Sequence, residues 1–411
     1  MIPARKPPMA TSGIVPWLRD NMFSSIINSI ISILALIFVV LSFFNLFQFI
    51  FFEGHWERVW ANMKLFGVYT YPLDLLWRPL TAAAITMGLV GLSAGLATHG
   101  EDGGEIMVGV FWWFFALVAL LAVLGLIFWE SIRFAWLIVA LANIAMFYLG
   151  KAVPQLSKRL MWLWVVGILL SFVLIAGILP ADSNPDSAFR FVKTKKWGGF
   201  MLTLIISAFG IIASFPLGIA LALGRKSKLP VLKYFSIGFI EIVRGAPLIA
   251  WLFIASVFVP LLLDQSPDKI PGLYRVLAAV TFFSAAYMAE NVRGGLAAVP
   301  KGQTEAAQAL GLSAWQNTRM IVLPQALRAV IPAIVGQAIG LFKDTSLVFV
   351  VGLADIFMVH KIVSTQPESL LITGGIRLEL SLFLVIVYWY FSFRMSIASR
   401  QLEKQLGVGE R

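Results

Sequence analysis

Long apolar blocks are the feature of this sequence that most limits the folds open to it. The first block runs from residue 24 to residue 52, and others follow along the 411-residue chain. A helix crosses the hydrocarbon core of a bilayer with about 20 predominantly apolar residues. Hydrophobic residues make up 59% of the chain and charged residues 13%, which is too little polar surface for a soluble domain of this size. The sequence therefore predicts an integral membrane protein.

The first block is predicted to be a retained membrane span rather than a cleavable signal peptide. It is longer than the apolar region of a signal peptide, and no A-x-A-like cleavage site follows it.

Ten blocks fit transmembrane helices, so the predicted fold is an all-α integral membrane protein with about ten transmembrane helices. The turn between the third and fourth blocks, at residues 130–133, is very tight. The predicted spans are 24–52, 77–97, 106–129, 132–149, 160–179, 197–223, 234–263, 273–290, 329–352 and 376–394.

The basic residues predict the orientation of these spans. With the N-terminus in the cytoplasm, cytoplasmic segments contain 18 Lys and Arg residues and outside segments contain 12. Basic residues are enriched in cytoplasmic segments, so both termini are expected to be cytoplasmic. The basic cluster at residues 193–196 opposes this orientation.

A polar, turn-rich stretch between Pro180 and Lys196 divides the chain. The division predicts an N-terminal extension over residues 1–185, with five accessory spans, and a core over residues 190–400, with five spans. The core contains a long cytoplasmic loop at residues 291–328. The two halves show no convincing repeat, which disfavours a secondary transporter with inverted repeats.

Several function classes lack their sequence signatures. The net charge of +11 is attributed to basic residues flanking the spans, so no nucleic acid is expected as a partner. The chain contains no Cys and three scattered His residues, which predicts no metal site. No nucleotide-binding P-loop, H-E-x-x-H or G-x-S-x-G motif is present. No catalytic residue and no cofactor on this chain are therefore expected.

The most informative segment is the long loop after the eighth predicted span. Its residues predict two short helices joined at an elbow. Thr304 can cap the first helix, and Glu305 then lies in the first turn. Gly311 can adopt the left-handed conformation that ends that helix. Ser313 with Gln316 fits a capping box for the second helix, and Pro324 is expected to end or kink it.

This loop resembles the signature of permeases in ATP-binding cassette (ABC) importers. The resemblance rests on Glu305, Ala306 and Ala307, followed at fixed spacing by Gly311 and by the Ile-x-Leu-Pro sequence that ends in Leu323 and Pro324. It implies that these residues form a coupling helix that docks on an ATPase. Residues 241–253, 285–311 and 343–348 are similar to the polar amino-acid uptake branch, whose core has the type I importer fold. The long N-terminal extension resembles the general L-amino-acid permeases of Gram-negative bacteria.

The resemblance implies a permease that moves L-amino acids from periplasm to cytoplasm across the bacterial inner membrane. The implied partners are an ATP-binding cassette ATPase dimer that binds ATP and Mg, a second permease subunit, a periplasmic amino-acid-binding protein and membrane lipid. The second permease subunit is expected to be a distinct paralogue, with a copy of this chain as the alternative. A secondary amino-acid transporter is the alternative function. It would need coupling-ion carboxylates near the membrane midplane, which are few here.

Two groups of polar residues lie within the predicted core spans. Glu241 and Arg244 are three residues apart, so they can pair on a helix. They are also candidates for a gate or a subunit contact, because the following residues, Gly245 to Pro247, would break the helix.

The second group is a candidate substrate pocket. Asp344 can accept a hydrogen bond from an amino acid's ammonium group, and hydroxyls or amides can bind its carboxylate. Gln337 is two helical turns from Asp344 on the same face, and the adjacent Lys343 offers Asp344 a neutralising partner instead. The candidate pocket residues are Asp344, Gln337, Thr345 and Ser346, with Ser284 and Tyr287 as weaker candidates on the preceding span.

Overall fold

The computed structural model describes residues 13–99, 104–128, 134–180, 186–262 and 270–405. These segments are helical, with short connections and two isolated β-bridges. The α-helices are α1 (Ile14–Asn21), α2 (Ile26–Gln48), α3 (Trp56–Ala61), α4 (Met63–Val68), α5 (Trp77–Ala97), α6 (Gly104–Phe128), α7 (Ala135–Ala152), α8 (Leu160–Ala176), α9 (Gly199–Arg225), α10 (Pro230–Arg244), α11 (Leu248–Phe253), α12 (Val259–Leu262), α13 (Gly272–Ala298), α14 (Lys301–Ala309), α15 (Ala314–Asn317), α16 (Leu323–Asp344), α17 (Ile356–Ser364), α18 (Pro367–Leu370) and α19 (Arg377–Gln405).

Within the described residues, nine helical segments are long and apolar enough to cross a membrane, and a bent pair brings the number to ten. The all-α membrane fold predicted from the sequence is confirmed. Shorter helical turns flank or interrupt these segments: 3₁₀ turns at Leu73–Leu75, Pro154–Arg159, Thr194–Lys196 and Thr345–Val351, and π turns at Phe49–Glu53, Ile254–Phe258 and Thr318–Val322. The tight turn predicted at residues 130–133 lies outside the described residues.

The predicted span over residues 234–263 is bent at the break that Gly245 to Pro247 predict. The chain forms α10 and then the α11–α12 segment, and the two segments meet at a bend of 104°. Pro247 adopts an extended backbone conformation at this break, and its ring cannot continue the hydrogen-bond ladder of α10. The indole of Trp251 donates a hydrogen bond of 3.0 Å to the carbonyl of Val243 across the bend. This hydrogen bond therefore stabilises the bend between α10 and α11.

The chain divides into two compact units. The first extends to Glu57 and contains the span α2, which begins after Ser25. The hydroxyl of Ser25 accepts a hydrogen bond from the backbone N–H of Asn28 at 3.2 Å. This cap satisfies one of the free donors at the start of the helix.

The second unit, from Arg58 onward, holds the other described spans. Its α5 and α7 pack closely because small residues line their contact. A Cβ atom at Gly91 would lie 2.2 Å from the carbonyl oxygen of Asn143, so only glycine permits this approach. Asn143 is buried, and its side-chain amide donates to the carbonyl of Met87 at 2.7 Å. Close backbone approach and one polar contact thus join these spans.

The segment that links extension and core is fastened at one end of the bundle. Arg78, at the start of α5, is fully buried and donates to the carbonyl of Ala188 at 2.9 and 2.6 Å and to that of Arg190 at 2.8 Å. Nearby, the Tyr71 hydroxyl donates to the carbonyl of Ile175 at 2.8 Å. These hydrogen bonds satisfy backbone carbonyl groups that have no hydrogen-bond partner within a helix.

The central helix of the core is α13. It packs against α9, α10 and α16, and its long buried face includes Val276, Val280 and Ala289. The apolar side chains around it form two clusters, one toward each end of the helix. The predicted site residues lie on α13, on the helices packed against it, and on the loop that follows it.

Candidate functional site

The predicted coupling loop, residues 291–328, includes the end of α13 and the start of α16, and the predicted elbow lies between them. Gly311 adopts a left-handed backbone with φ of 77°, as the sequence predicts. Ser313 and Gln316 form the predicted capping box: the Ser313 hydroxyl accepts from the Gln316 N–H at 3.3 Å, and the Gln316 side chain accepts from the Ser313 N–H at 2.9 Å. These local interactions fix the angle between α14 and α15.

One detail of the predicted loop is wrong. The cap of α14 is Pro300 rather than Thr304, because Pro300 supplies the extended residue and the following residues continue directly as a helix. Thr304 and Glu305 therefore lie within the helix. Pro324 lies in the first turn of α16, and a π turn at Thr318–Val322 interrupts the helical run just before it, in agreement with the predicted end or kink.

The surface of the coupling loop carries large apolar side chains. Leu310, Trp315 and Met320 are 80%, 65% and 66% exposed. Exposed apolar residues clustered on a polar loop are typical of a protein interaction site. Of the six predicted coupling residues, Glu305, Ala306, Gly311 and Pro324 are exposed, Leu323 is half-buried, and Ala307 is buried. Ala307 therefore packs inward in this structure.

Glu241 and Arg244 do not pair with each other but belong to a larger charge cluster. Arg225 lies 3.1 Å from Glu241 and 3.7 Å from Glu290. Arg244 lies 3.5 Å from Glu290, which also accepts hydrogen bonds from Arg293. The cluster joins the ends of α9 and α10 to α13, with Glu290 in contact with three arginines. Sequence analysis missed Arg225, Glu290 and Arg293, although the i,i+3 spacing of Glu290 and Arg293 is visible there.

Tyr287 lies with this charge cluster rather than with Asp344. The Arg244 guanidinium covers its ring at 5.4 Å from the centroid, a favourable cation–π arrangement. Pro247, which directly follows Gly245 and Ala246, begins the second arm of the bent pair.

Gln337 and Ser284 are brought together, as a bridge between helices. The side-chain amide of Gln337 donates to the carbonyl of Ser284 at 2.7 Å and accepts from the Asn291 amide at 2.9 Å. Its oxygen and its nitrogen are both engaged with α13. Gln337 therefore serves mainly to align α16 with α13 in this structure.

Asp344 ends α16 and is half-buried. Its carboxylate forms no hydrogen bond or ion pair with any other described residue. Lys343 is exposed beside it, while Thr345 is buried and donates its hydroxyl to the carbonyl of Phe342 at 2.8 Å. Ser346 is half-buried on the following 3₁₀ turn. Within the described part of the chain, Asp344 and Ser346 thus offer free polar groups to a ligand.

Sequence analysis missed Asp355, which is fully buried at the start of α17. Its carboxylate accepts hydrogen bonds from the N–H groups of Phe357 at 3.2 Å and Met358 at 2.9 Å. Burial raises the pKa of Asp355 from its usual 3.8 to about 7, although these two hydrogen bonds lower it. Within the described residues, no group of three His, Asp or Glu side chains could hold a metal ion.

A bundle of apolar spans with a structured polar loop at one end defines a multi-pass membrane protein. Residues 214–408 match the family described as binding-protein-dependent transport system inner membrane component. This match begins inside α9 and covers most of the core.

Individual relatives extend the comparison beyond the core. The chain is 41% identical to the inner membrane amino-acid ABC transporter permease protein YhdY of Escherichia coli, over 66% of this chain and 71% of that protein. It is 33% identical to the glutamate/glutamine/aspartate/asparagine transport system permease protein BztC of Rhodobacter capsulatus, over 99% of this chain and 96% of that protein. A crystal structure of an amino acid ABC transporter with histidines covers 50% of this chain and 92% of its own, with 26% identity and a TM-score of 0.45.

The chain therefore belongs to the family of binding-protein-dependent transport system inner membrane components, and it is the permease subunit of an ABC importer. As such it is a multi-pass inner-membrane protein and a transport subunit rather than an enzyme. The family works with an ATPase and a substrate-binding protein. The alignment with BztC includes the N-terminal extension, so the extension is not peculiar to this chain.

Proposed function

We propose that this permease carries L-amino acids from periplasm to cytoplasm, and that Asp344 accepts a hydrogen bond from the substrate's ammonium group. The observation that carries the proposal is the free carboxylate of Asp344. An anion within a membrane span must be paired, hydrated or bound to a ligand, and Asp344 has no ion pair among the described residues. A substrate ammonium is the cation that would complete the site.

The surrounding groups support an amino-acid ligand. Ser346 has a hydroxyl that can donate to a substrate carboxylate, and Thr345 lies beside it. Gln337 and Ser284 would act indirectly, since they hold α16 against α13. The names of YhdY and BztC, which refer to amino acids, agree with this substrate class.

The coupling loop supports the proposed energy source. Its exposed Leu310, Trp315 and Met320, with Glu305 and Ala306, would dock on a separate ATPase dimer that binds ATP and Mg. The charge cluster, with Glu241, Arg244 and the break at Pro247, would act as a gate at the same end of the core. A second permease subunit, which we propose to be a distinct paralogue, would complete the pathway with a periplasmic amino-acid-binding protein.

The proposed organisation follows the sequence prediction. Residues 1–185 would form the accessory extension and residues 190–400 the permease core, with the coupling loop inside residues 291–328. Both termini would lie in the cytoplasm.

The deciding experiment is uptake by the complete transporter carrying Asp344→Asn, which removes the charge and keeps the shape. Uptake is measured for neutral, acidic and basic amino acids. All three should weaken together if Asp344 binds the ammonium group, and only basic ones if it binds side chains. The matched control is Glu368→Gln, since Glu368 is an exposed acid on α18.

Normal assembly with unchanged kinetics for all three classes would contradict the assignment of Asp344. Loss of assembly would instead indicate a structural pair with Lys343.

A further inference from the structure

Arg394 lies at the end of the predicted span 376–394, where α19 of the core contacts α6 of the extension. Its guanidinium carbon, on α19, is 3.4 Å from the centroid of the Trp113 ring on α6. Tyr390, one turn earlier on α19, donates its hydroxyl to the carbonyl of Trp113 at 3.5 Å. The cation, the indole and the phenol therefore meet in one cleft between α6 and α19.

The charge of Arg394 is not balanced inside the described part of the chain. No described carboxylate forms an ion pair with it, and its Nε is buried without a hydrogen-bond acceptor. An aromatic face attracts a cation but does not neutralise it. A charged group near the end of a span is expected to have a counter-ion or to reach the membrane surface, and an anion bound at that surface would balance it.

The position of the cleft along the spans indicates the source of that anion. Arg377 begins α19 at the opposite end of this span. At about 1.5 Å per residue, Arg394 lies roughly 26 Å further along the helix, and the hydrocarbon core of a bilayer is about 30 Å thick. The guanidinium is therefore close to one boundary of the hydrocarbon, where lipid phosphates lie. Trp113, Trp389 and Phe393 are 45%, 58% and 41% exposed beside it, as expected for aromatic residues at an interface.

We propose that Arg394 binds the phosphate of an anionic phospholipid headgroup in this cleft. A guanidinium presents paired N–H donors that match two phosphate oxygens. The lipid tails would lie along the exposed aromatic rings. A headgroup with net negative charge balances the arginine, whereas a zwitterionic headgroup brings its own cation.

The test titrates the purified full-length chain in detergent with phosphatidylglycerol or phosphatidylcholine of the same acyl composition. Bound lipid is measured by native mass spectrometry. R394Q is expected to bind phosphatidylglycerol about fivefold more weakly than wild type, as expected for one basic residue at an anionic surface. R400Q should keep wild-type affinity, since Arg400 is an exposed arginine on the same helix. Phosphatidylcholine binding should be equal in all variants.

Equal phosphatidylglycerol binding by wild type and folded R394Q would overturn the proposal. R394K keeps the charge, so it should retain most of the preference for phosphatidylglycerol, and this variant decides the matter if R394Q does not fold. If folded R394K loses the preference for phosphatidylglycerol, the positive charge does not determine lipid binding. Arg394 would then serve to pack α19 against the Trp113 ring of α6, and the anion site would be overturned. Inorganic phosphate that competes for the site as well as the lipid does would also overturn the lipid assignment.

Discussion

Arg244 at the end of α10 forms an ion pair of 3.5 Å with Glu290 on α13. The pair directly precedes the 104° break after α10, so the first arm of the bent segment is tied to the central helix of the core. Glu290 also contacts Arg225 and Arg293. One carboxylate thus connects α9, α10 and α13.

Removal of the Glu290 charge should loosen this end of the core. Glu290→Gln leaves three arginines without their shared partner, and we expect a loss of about 1–3 kcal/mol, typical of an unpaired polar group. Glu241→Gln is the matched control, because the Glu241 side chain is 56% exposed and exposed pairs contribute below about 1 kcal/mol. Thermal unfolding of both variants in detergent measures the difference. Equal losses would show that Glu290 is not the centre of the cluster.

The elbow of the coupling loop should depend on Gly311. Gly311→Val places a β-branched side chain at a φ of 77°, which is strained whatever the space around it. Membrane insertion should persist while transport and transport-stimulated ATP hydrolysis fall at least tenfold. The control is Gly302→Ala, since Gly302 lies within α14 with open space around it. Full transport by Gly311→Val would refute the docking role of the loop.

The topology predicts opposite locations for two reporters. A reporter fused after Arg411 should be cytoplasmic, and one inserted near Asp186 should be periplasmic. Enzyme reporters that are active on only one side of the membrane provide the measurement. Detection of both on the same side would be incompatible with ten spans in the proposed order.

The buried Asp355 predicts a pH dependence with a definite sign. Its folded pKa of about 7 exceeds its usual 3.8, so the folded state holds the proton more tightly than the unfolded state. The ionised form therefore costs stability, and the cost grows from about pH 4 to 7 and is constant above, reaching at most about 4 kcal/mol by linkage.

Asp355→Asn remains uncharged and keeps an oxygen that can cap α17. Its unfolding temperature relative to wild type should rise with pH and level off above about pH 7. Thermal unfolding in detergent across this range is the measurement. A difference that is constant with pH, or that falls as pH rises, would contradict a raised pKa for Asp355.

Some interactions between sequence neighbours were predictable, and those between distant segments were not. The left-handed Gly311 and the Ser313–Gln316 box follow from the chemistry of residues at most three positions apart. The partners of Glu241 and Arg244 depend on how α9, α10 and α13 cross, which the sequence alone does not specify. The same holds for Gln337, whose position on the helix was correct while its two partners lie on another helix. The burial of Asp355 could not be predicted, because a single acidic residue after a span has the same sequence pattern as an ordinary exposed residue.

The fastening of residues 188 and 190 by Arg78 has a consequence for shortening this protein. A truncated chain that starts at Trp197 would match the length of five-span permeases but would lack α5 and the segment that Arg78 holds. A separate extension that ends before Ala188 would leave a fully buried guanidinium facing missing carbonyls, at a cost that a charged group makes severe. Any cut between extension and core must therefore fall after Arg190, so that residues 188 and 190 stay on the same piece as Arg78.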